Sequence, residues 1–229
     1  MSILDLKHPV KWYIKRLFPH PLIEFLLIII IGGQYLSITY LQNISLFIYT
    51  SEFLLLPMYG IGIGVHFIRG SSSTVIELSI LKSYRWIYLG KLIAVAIGLT
   101  PIIILDILIL EYYKYNDLIL PLLVKLISYI VFTIGASLFK EIVTGSIVLM
   151  TSEFLFPMST SIIINNLPPS GRLDTFMSII VYFFSPLIAY SNSEVLSISI
   201  YLGSFLSLII SIIALSIFLI IFEKMEYNP

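Results

Sequence analysis

Six stretches of about 20 mostly apolar residues constrain this chain more than any other feature of its sequence. They cover residues 22–41, 46–68, 90–110, 118–139, 142–164 and 196–222. A helix needs about 20 such residues to cross the roughly 30 Å hydrocarbon core of a bilayer. The sequence therefore predicts an all-α membrane protein with one transmembrane domain over residues 1–229. That domain comprises an interfacial segment (1–21), a six-span bundle (22–222) and a short tail (223–229).

The overall composition supports a membrane protein. Hydrophobic residues make up 59% of the chain and charged residues 11%, against about 25% charged residues in a soluble domain. The mean hydropathy is +1.03, and a soluble core of this size could not bury so much apolar surface. The formal net charge is zero, which argues against binding to nucleic acid.

A seventh apolar run, residues 173–190, is interrupted by Ser185 and Pro186. Each piece is too short to cross a bilayer. Irregular backbone at membrane depth is tolerated where protein surrounds it. We therefore expect an external re-entrant hairpin over residues 168–190, between the fifth and sixth spans.

The distribution of Lys and Arg predicts the orientation of the chain. With the N-terminus in the cytosol, every Lys and Arg except Lys114, Lys125 and Arg172 lies on the cytosolic side. Positive charge is enriched in cytosolic loops of membrane proteins. Both termini are therefore expected in the cytosol, with the bundle in the cell membrane.

The segment before the first span has the pattern of an amphipathic helix. Lys7, Lys11 and Lys15 are four residues apart and share one face, whereas apolar side chains occupy the other. This pattern is typical of a helix that lies in the membrane interface. The sequence leaves open whether the helix serves only as an anchor or also contacts a cytosolic partner.

The link between the second and third spans contains a second cytosolic helix. Thr74 and Glu77 form a capping box, which predicts a helix over residues 75–86. Its apolar side chains are Ile76, Ile80, Leu81 and Tyr84. A partly apolar helix must dock on protein, and the sequence allows either the ends of the chain's own helices or a partner subunit.

Residues 74–94, TVIELSILKSYRWIYLGKLIA, resemble a segment of the membrane subunits of type-2 ABC exporters. In that family a helix carrying a glutamate is followed by a proline–serine–arginine turn and a glycine–lysine pair that opens the third span. Glu77, Arg85, Gly90 and Lys91 match this pattern. The proline is missing and the turn is one residue shorter. The predicted order of interfacial helix, six spans and external hairpin is also similar to that of the family.

The resemblance implies a transport subunit rather than an enzyme. Such a permease would work as a dimer, with a second copy or a homologous permease, and would bind two ATP-binding cassette ATPase subunits. ATP and Mg would be bound by those subunits, and no cofactor is expected on this chain, whose sequence contains no phosphate-binding loop. The residues implied in coupling to the ATPases are Thr74, Glu77, Ile80, Leu81, Lys82, Tyr84 and Arg85.

Two glutamates inside predicted spans lie in matching local sequences. Residues 50–58 read TSEFLLLPM and residues 151–158 read TSEFLFPM, with Glu52 and Glu153 at the third position. Intramembrane carboxyls are costly and often functional. They either tie helices together or line a transport pathway. In an alternative function, an ATP-independent secondary transporter, these two residues would bind a proton or a cation within an inverted repeat.

Other polar and small residues within the spans have structural interpretations. Asp106 and Lys125 lie near the external ends of consecutive spans, and we expect them to form an ion pair across that hairpin. Gly60 and Gly64 have the spacing of a small-residue packing face. No group of His or acidic residues has metal-ligand spacing, so no metal site is expected.

Overall fold

The computed structural model describes residues 7–17, 21–40, 44–68, 77, 79, 84–139, 141–168 and 171–224. Of these residues 88% are helical, and none lies in a strand. This confirms the all-α class.

Apart from one short 3₁₀ turn, Ser193–Val195, the described part of the chain contains nine helices. They are α1 (Lys7–Leu17), α2 (Pro21–Thr39), α3 (Ile44–Val65), α4 (Tyr84–Tyr112), α5 (Asn116–Ala136), α6 (Ile142–Asn165), α7 (Thr175–Phe184), α8 (Pro186–Ser191) and α9 (Ile200–Lys224). Glu77 and Ser79, between α3 and α4, are also helical.

Five of these helices, α3, α4, α5, α6 and α9, are long and apolar enough to cross a membrane. They correspond to the second to sixth predicted spans. The first predicted span corresponds to α2, whose apolar part, Ile23–Thr39, is shorter. The lengths and composition of the helices therefore indicate a membrane protein, and the count of six crossings stays a prediction.

Helix α5 lies at the centre of the bundle and contacts α3, α4, α6, α7, α8 and α9. Its most apolar 18-residue window is 61% buried, whereas that of α9 is only 17% buried. Large apolar side chains such as Ile212, Ile213 and Ile220 are exposed on α9. In a bilayer this exposed surface would contact lipid rather than water. On α5, by contrast, the polar residues Lys125, Ser128 and Thr133 are enclosed by protein.

The amphipathic helix α1 packs against α4. Its residues Pro9, Tyr13 and Leu17 are buried, whereas Lys11 and Lys15 are exposed. A methyl group added at Gly90 would lie 3.0 Å from Cβ of Pro9, so the two helices meet closely there. The apolar face of α1 therefore covers the beginning of the third predicted span.

The seventh apolar run forms two short helices, α7 and α8, with the break at Ser185 that the sequence predicts. The Asp174 side chain accepts a hydrogen bond from the Met177 amide at 2.7 Å and caps α7. A main-chain hydrogen bond of 2.8 Å from Leu173 to Val195 ties the start of α7 to the segment before α9. The break brings a carbonyl and an amide into the interior of the bundle.

Candidate functional site

The two matching glutamate sequences adopt the same unusual backbone. Ser51–Leu55 in α3 and Thr151–Leu155 in α6 are single π-helical turns. In each, an amide bonds to the carbonyl five residues earlier, from Leu56 to Ser51 and from Phe156 to Thr151. The structure thus places Glu52 and Glu153 on local distortions, a backbone form that occurs often at functional sites.

Prolines account for the position of both turns. Pro57 and Pro157 each follow the end of a π turn by two residues. A proline has no amide hydrogen, and its ring clashes with the carbonyl four residues earlier. A wider turn before the proline relieves this clash and leaves the rest of the helix intact. The sequence predicts the freed carbonyls, but it does not show that the backbone would adopt a π turn.

Glu52 and Lys125 form an ion pair in the interior of the bundle, and both side chains are fully buried. The second carboxylate oxygen of Glu52 accepts a hydrogen bond from the Leu187 amide at 3.0 Å. Lys125 also donates to the Phe184 carbonyl at 2.7 Å. The pair therefore binds a carbonyl and an amide at the break between α7 and α8, and such groups are costly to bury without a partner.

This geometry corrects the predicted ion pair between Asp106 and Lys125. Lys125 instead binds Glu52, and its ammonium lies 4.9 Å from the centre of the Tyr129 ring. Charge and membrane depth make the two pairings equally plausible in the sequence. The direction in which Lys125 points decides between the two pairings. That direction depends on how α5 is rotated about its axis, which is set by packing against the neighbouring helices.

Glu153 lies beside this pair and forms no ion pair with any residue that the structure describes. Its carboxyl group is fully buried, and Oε1 has one long hydrogen bond of 3.5 Å from the Thr133 hydroxyl. Oε2 makes no hydrogen bond to any described residue. It faces the helix surface at Gly60, where an added methyl group would lie 2.5 Å from it. Lys125 is near enough to interact electrostatically with Glu153.

Tyr129 lies among the acidic groups of the interior. Its ring is buried, and its hydroxyl has no hydrogen-bond partner within the described ranges. The hydroxyl interacts electrostatically with Glu52, Glu153 and Asp106. We call Glu52, Lys125, Tyr129, Thr133 and Glu153 the buried polar cluster.

Asp106 lies outside the hydrogen-bond network of the cluster. It is fully buried on α4 and interacts with Gln34 of α2. Neither side chain forms a hydrogen bond of normal geometry with a described residue. Gln34 is a contact that the sequence analysis missed. The sequence offered one indication of this contact, since Gln34 is a single amide side chain within an apolar stretch.

A second polar site forms where α1 and α4 meet residue 77. The carboxylate of Glu77 is buried and lies 3.3 Å from the ammonium of Lys91 and 3.9 Å from Arg16. Lys91 also donates to the Phe67 carbonyl at 3.3 Å. Burial, with the Glu77 carboxylate nearby, raises the pKa of the Tyr13 phenol. We call Arg16, Glu77, Lys91 and Tyr13 the Glu77 junction.

The remaining coupling residues divide between described and undescribed parts of the chain. Thr74, Ile80, Leu81 and Lys82 lie outside the described residues. Tyr84 and Arg85 lie in α4, and the end of the predicted helix 75–86 stays a prediction because residues 80–83 are not described. The Gly90–Lys91 pair lies within α4.

The two packing glycines face polar and apolar neighbours on α5 and α6. Next to Gly60 are Glu153 and Tyr129, and next to Gly64 are Leu149 and Thr133. The absence of a side chain at both positions lets α3 approach these helices closely.

The candidate site has no arrangement suited to a metal. No group of three or more His or acidic side chains within the described ranges could hold a metal ion. Comparisons of the chain with models of known families, with curated proteins and with solved structures give no match.

Proposed function

We propose that this chain is the membrane-spanning subunit of an ATP-driven exporter. Two copies, or one copy and a homologous permease, would form the pathway, and two separate ATP-binding cassette subunits would hydrolyse ATP. The proposal rests on the resemblance of residues 74–94 to type-2 ABC exporters, and the Glu77 junction is the observation that best supports it.

The junction provides a route by which a partner could move the bundle. Glu77 lies in the segment that would dock on an ATPase, whereas Lys91 lies in a long apolar helix and Arg16 in the amphipathic helix. The Glu77 and Lys91 side chains are both buried, so separating the two opposite charges would be costly. Displacement of the segment around Glu77 would therefore pull α4 with it.

The buried polar cluster lies where such a movement would reach the interior of the bundle, and it could line the transport pathway there. Lys125 holds the break between α7 and α8 through the Phe184 carbonyl, while Glu52 holds it through the Leu187 amide. Helices α4 and α5 pack against each other. A shift of α4 would therefore reach Lys125 and the short helices that it holds.

The direct test disrupts the docking segment. Ile80→Asp places a carboxylate on the apolar face of the predicted helix 75–86, where binding to an ATPase would bury it without a partner. We expect the variant to remain in the membrane but to lose the ATPase subunits on purification. Tyr115→Asp, an exposed position beyond the other end of α4, is the matched control and should keep them. A full complement of ATPase on the Ile80→Asp protein would overturn the proposal.

A further inference from the structure

The buried polar cluster contains two glutamates in equivalent settings but only one lysine. Glu52 and Glu153 each lie on a π turn that precedes a proline, and both are fully buried. Lys125 binds Glu52 and interacts electrostatically with Glu153. One ammonium can neutralise one carboxylate, so the second carboxyl must be neutralised in another way.

The surroundings of Glu153 indicate that its carboxyl group is neutralised by a bound proton. Thr133 supplies one long hydrogen bond, and Gly60 supplies only a close apolar contact at Oε2. An ionised carboxylate in a dry interior without a partner costs far more than a neutral acid. The titratable or charged groups around it are Lys125, Tyr129 and Glu52, and Asp106 lies beyond Tyr129. Lys125 is the single cation among these groups.

We propose that Glu52 and Glu153 form one site that holds a single exchangeable proton, with Lys125 binding whichever glutamate lacks it. In the structure Lys125 binds Glu52, and the proton belongs on Glu153. In the alternative state Glu153 releases its proton, Lys125 keeps its own three and binds Glu153, and Glu52 takes up a proton. The total charge of the cluster is the same in both states.

The exchange would change the contacts that hold the break between α7 and α8. In the present state Lys125 donates to the Phe184 carbonyl while it is bound to Glu52. Movement of the ammonium towards Glu153 would take this donor away and leave the carbonyl at the end of α7 unpaired. The Leu187 amide contact to Glu52 and the hydrogen bond between the Thr160 and Ser185 hydroxyls would then remain at the break between α7 and α8. Proton exchange would thereby be coupled to the position of these helices.

Infrared spectroscopy of the full chain in lipid nanodiscs tests the shared proton, because a protonated carboxylic acid has a carbonyl band that a carboxylate lacks. The Asp106→Asn background removes a buried acid outside the cluster, and the further buried acid, Glu77, is paired with Lys91. In that background we expect one protonated glutamic acid. Glu52→Gln and Glu153→Gln should each abolish the band, since Lys125 then binds the remaining glutamate. Lys125→Met should double it, because both glutamates then need protons.

The outcomes that overturn the proposal are equally specific. If either Gln variant retains the band of the Asp106→Asn protein, the two glutamates titrate independently. Absence of the band from the Asp106→Asn protein would also contradict a shared proton. Glu52→Asp and Glu153→Asp control for misfolding, because each should shift or keep the band rather than abolish it. A band lost in both Asp variants would contradict the proposed exchange.

Discussion

At the level of single residues, Lys125 meets the Glu52 carboxylate, the Phe184 carbonyl and the face of the Tyr129 ring. These groups belong to three different segments of the chain. Sequence analysis identified Lys125, Glu52 and Glu153 as unusual because charges inside a bilayer are costly. It assigned the wrong partner to Lys125, because sequence gives the depth of a residue in a span but not the direction in which it points.

Removal of the lysine should destabilise the protein more than removal of the whole pair. Lys125→Met leaves Glu52 buried without a cation, and breaking a buried pair in this way costs about 3–5 kcal/mol. The double variant Lys125→Met/Glu52→Gln should recover a large part of that loss. The free energies of unfolding of the single and the double variant can be measured by circular dichroism in a graded series of sodium dodecyl sulfate mole fractions. A double variant no more stable than the single one would contradict this account.

A side chain at Gly60 should destabilise the protein, because the buried Glu153 carboxyl group would have to shift. A methyl group there would lie 2.5 Å from Oε2 of Glu153, and overpacking of a tight interior costs about 1–3 kcal/mol. Gly32→Ala is the matched control, since no atom lies within 4 Å of the added methyl group. That control should be neutral, or up to about 1 kcal/mol stabilising because alanine favours the helix. Equal effects of the two substitutions in the same unfolding assay would rule out the packing role of Gly60.

At the level of elements, proline is the residue type that shapes the interior. Pro57 and Pro157 follow the two π turns, and Pro186 opens α8 after the break at Ser185. The break could be predicted because proline ends a helix pattern. The π turns could not, because a proline inside an apolar span is equally compatible with a kink. The end of the predicted helix 75–86 stays a prediction, because residues 80–83 lie outside the described part of the chain; Tyr84 and Arg85 belong to α4.

The Glu77 junction should hold the segment around Glu77 against α1 and α4. Glu77→Gln removes the partner of the buried Lys91 ammonium and should cost about 3–5 kcal/mol of stability. Glu141→Gln, at an exposed glutamate, is the control and should change stability by less than about 0.5 kcal/mol. Limited proteolysis between residues 69 and 83 should also become faster in Glu77→Gln alone. Similar proteolysis rates in the two variants would contradict the role of the junction.

At the level of the whole molecule, the composition and the apolar stretches indicated the fold class and five of the helices that could cross a membrane. Their packing was not accessible to sequence analysis, because an apolar residue reads alike whether it faces lipid or a neighbouring helix. Helices α5 and α9 illustrate this, since one is central and the other largely exposed.

The predicted orientation can be tested directly because the chain contains no cysteine. Single cysteines at Lys11, Ser191 and Glu223 occupy exposed positions. A membrane-impermeant maleimide should label Ser191→Cys from outside the cell, and should label the other two only after permeabilisation. Labelling of Lys11→Cys and Glu223→Cys from opposite sides would mean an odd number of crossings and would contradict the six-span prediction.

The subunit composition of the protein in its native membrane tests the central claim most directly. The chain should be purified in mild detergent from the membrane in which it is naturally made, and its mass should be measured by native mass spectrometry. The account predicts an assembly of two permease chains and two ATP-binding cassette subunits that hydrolyses ATP. A chain that is isolated without any ATPase, and that transports in proteoliposomes on an ion gradient alone, would contradict it.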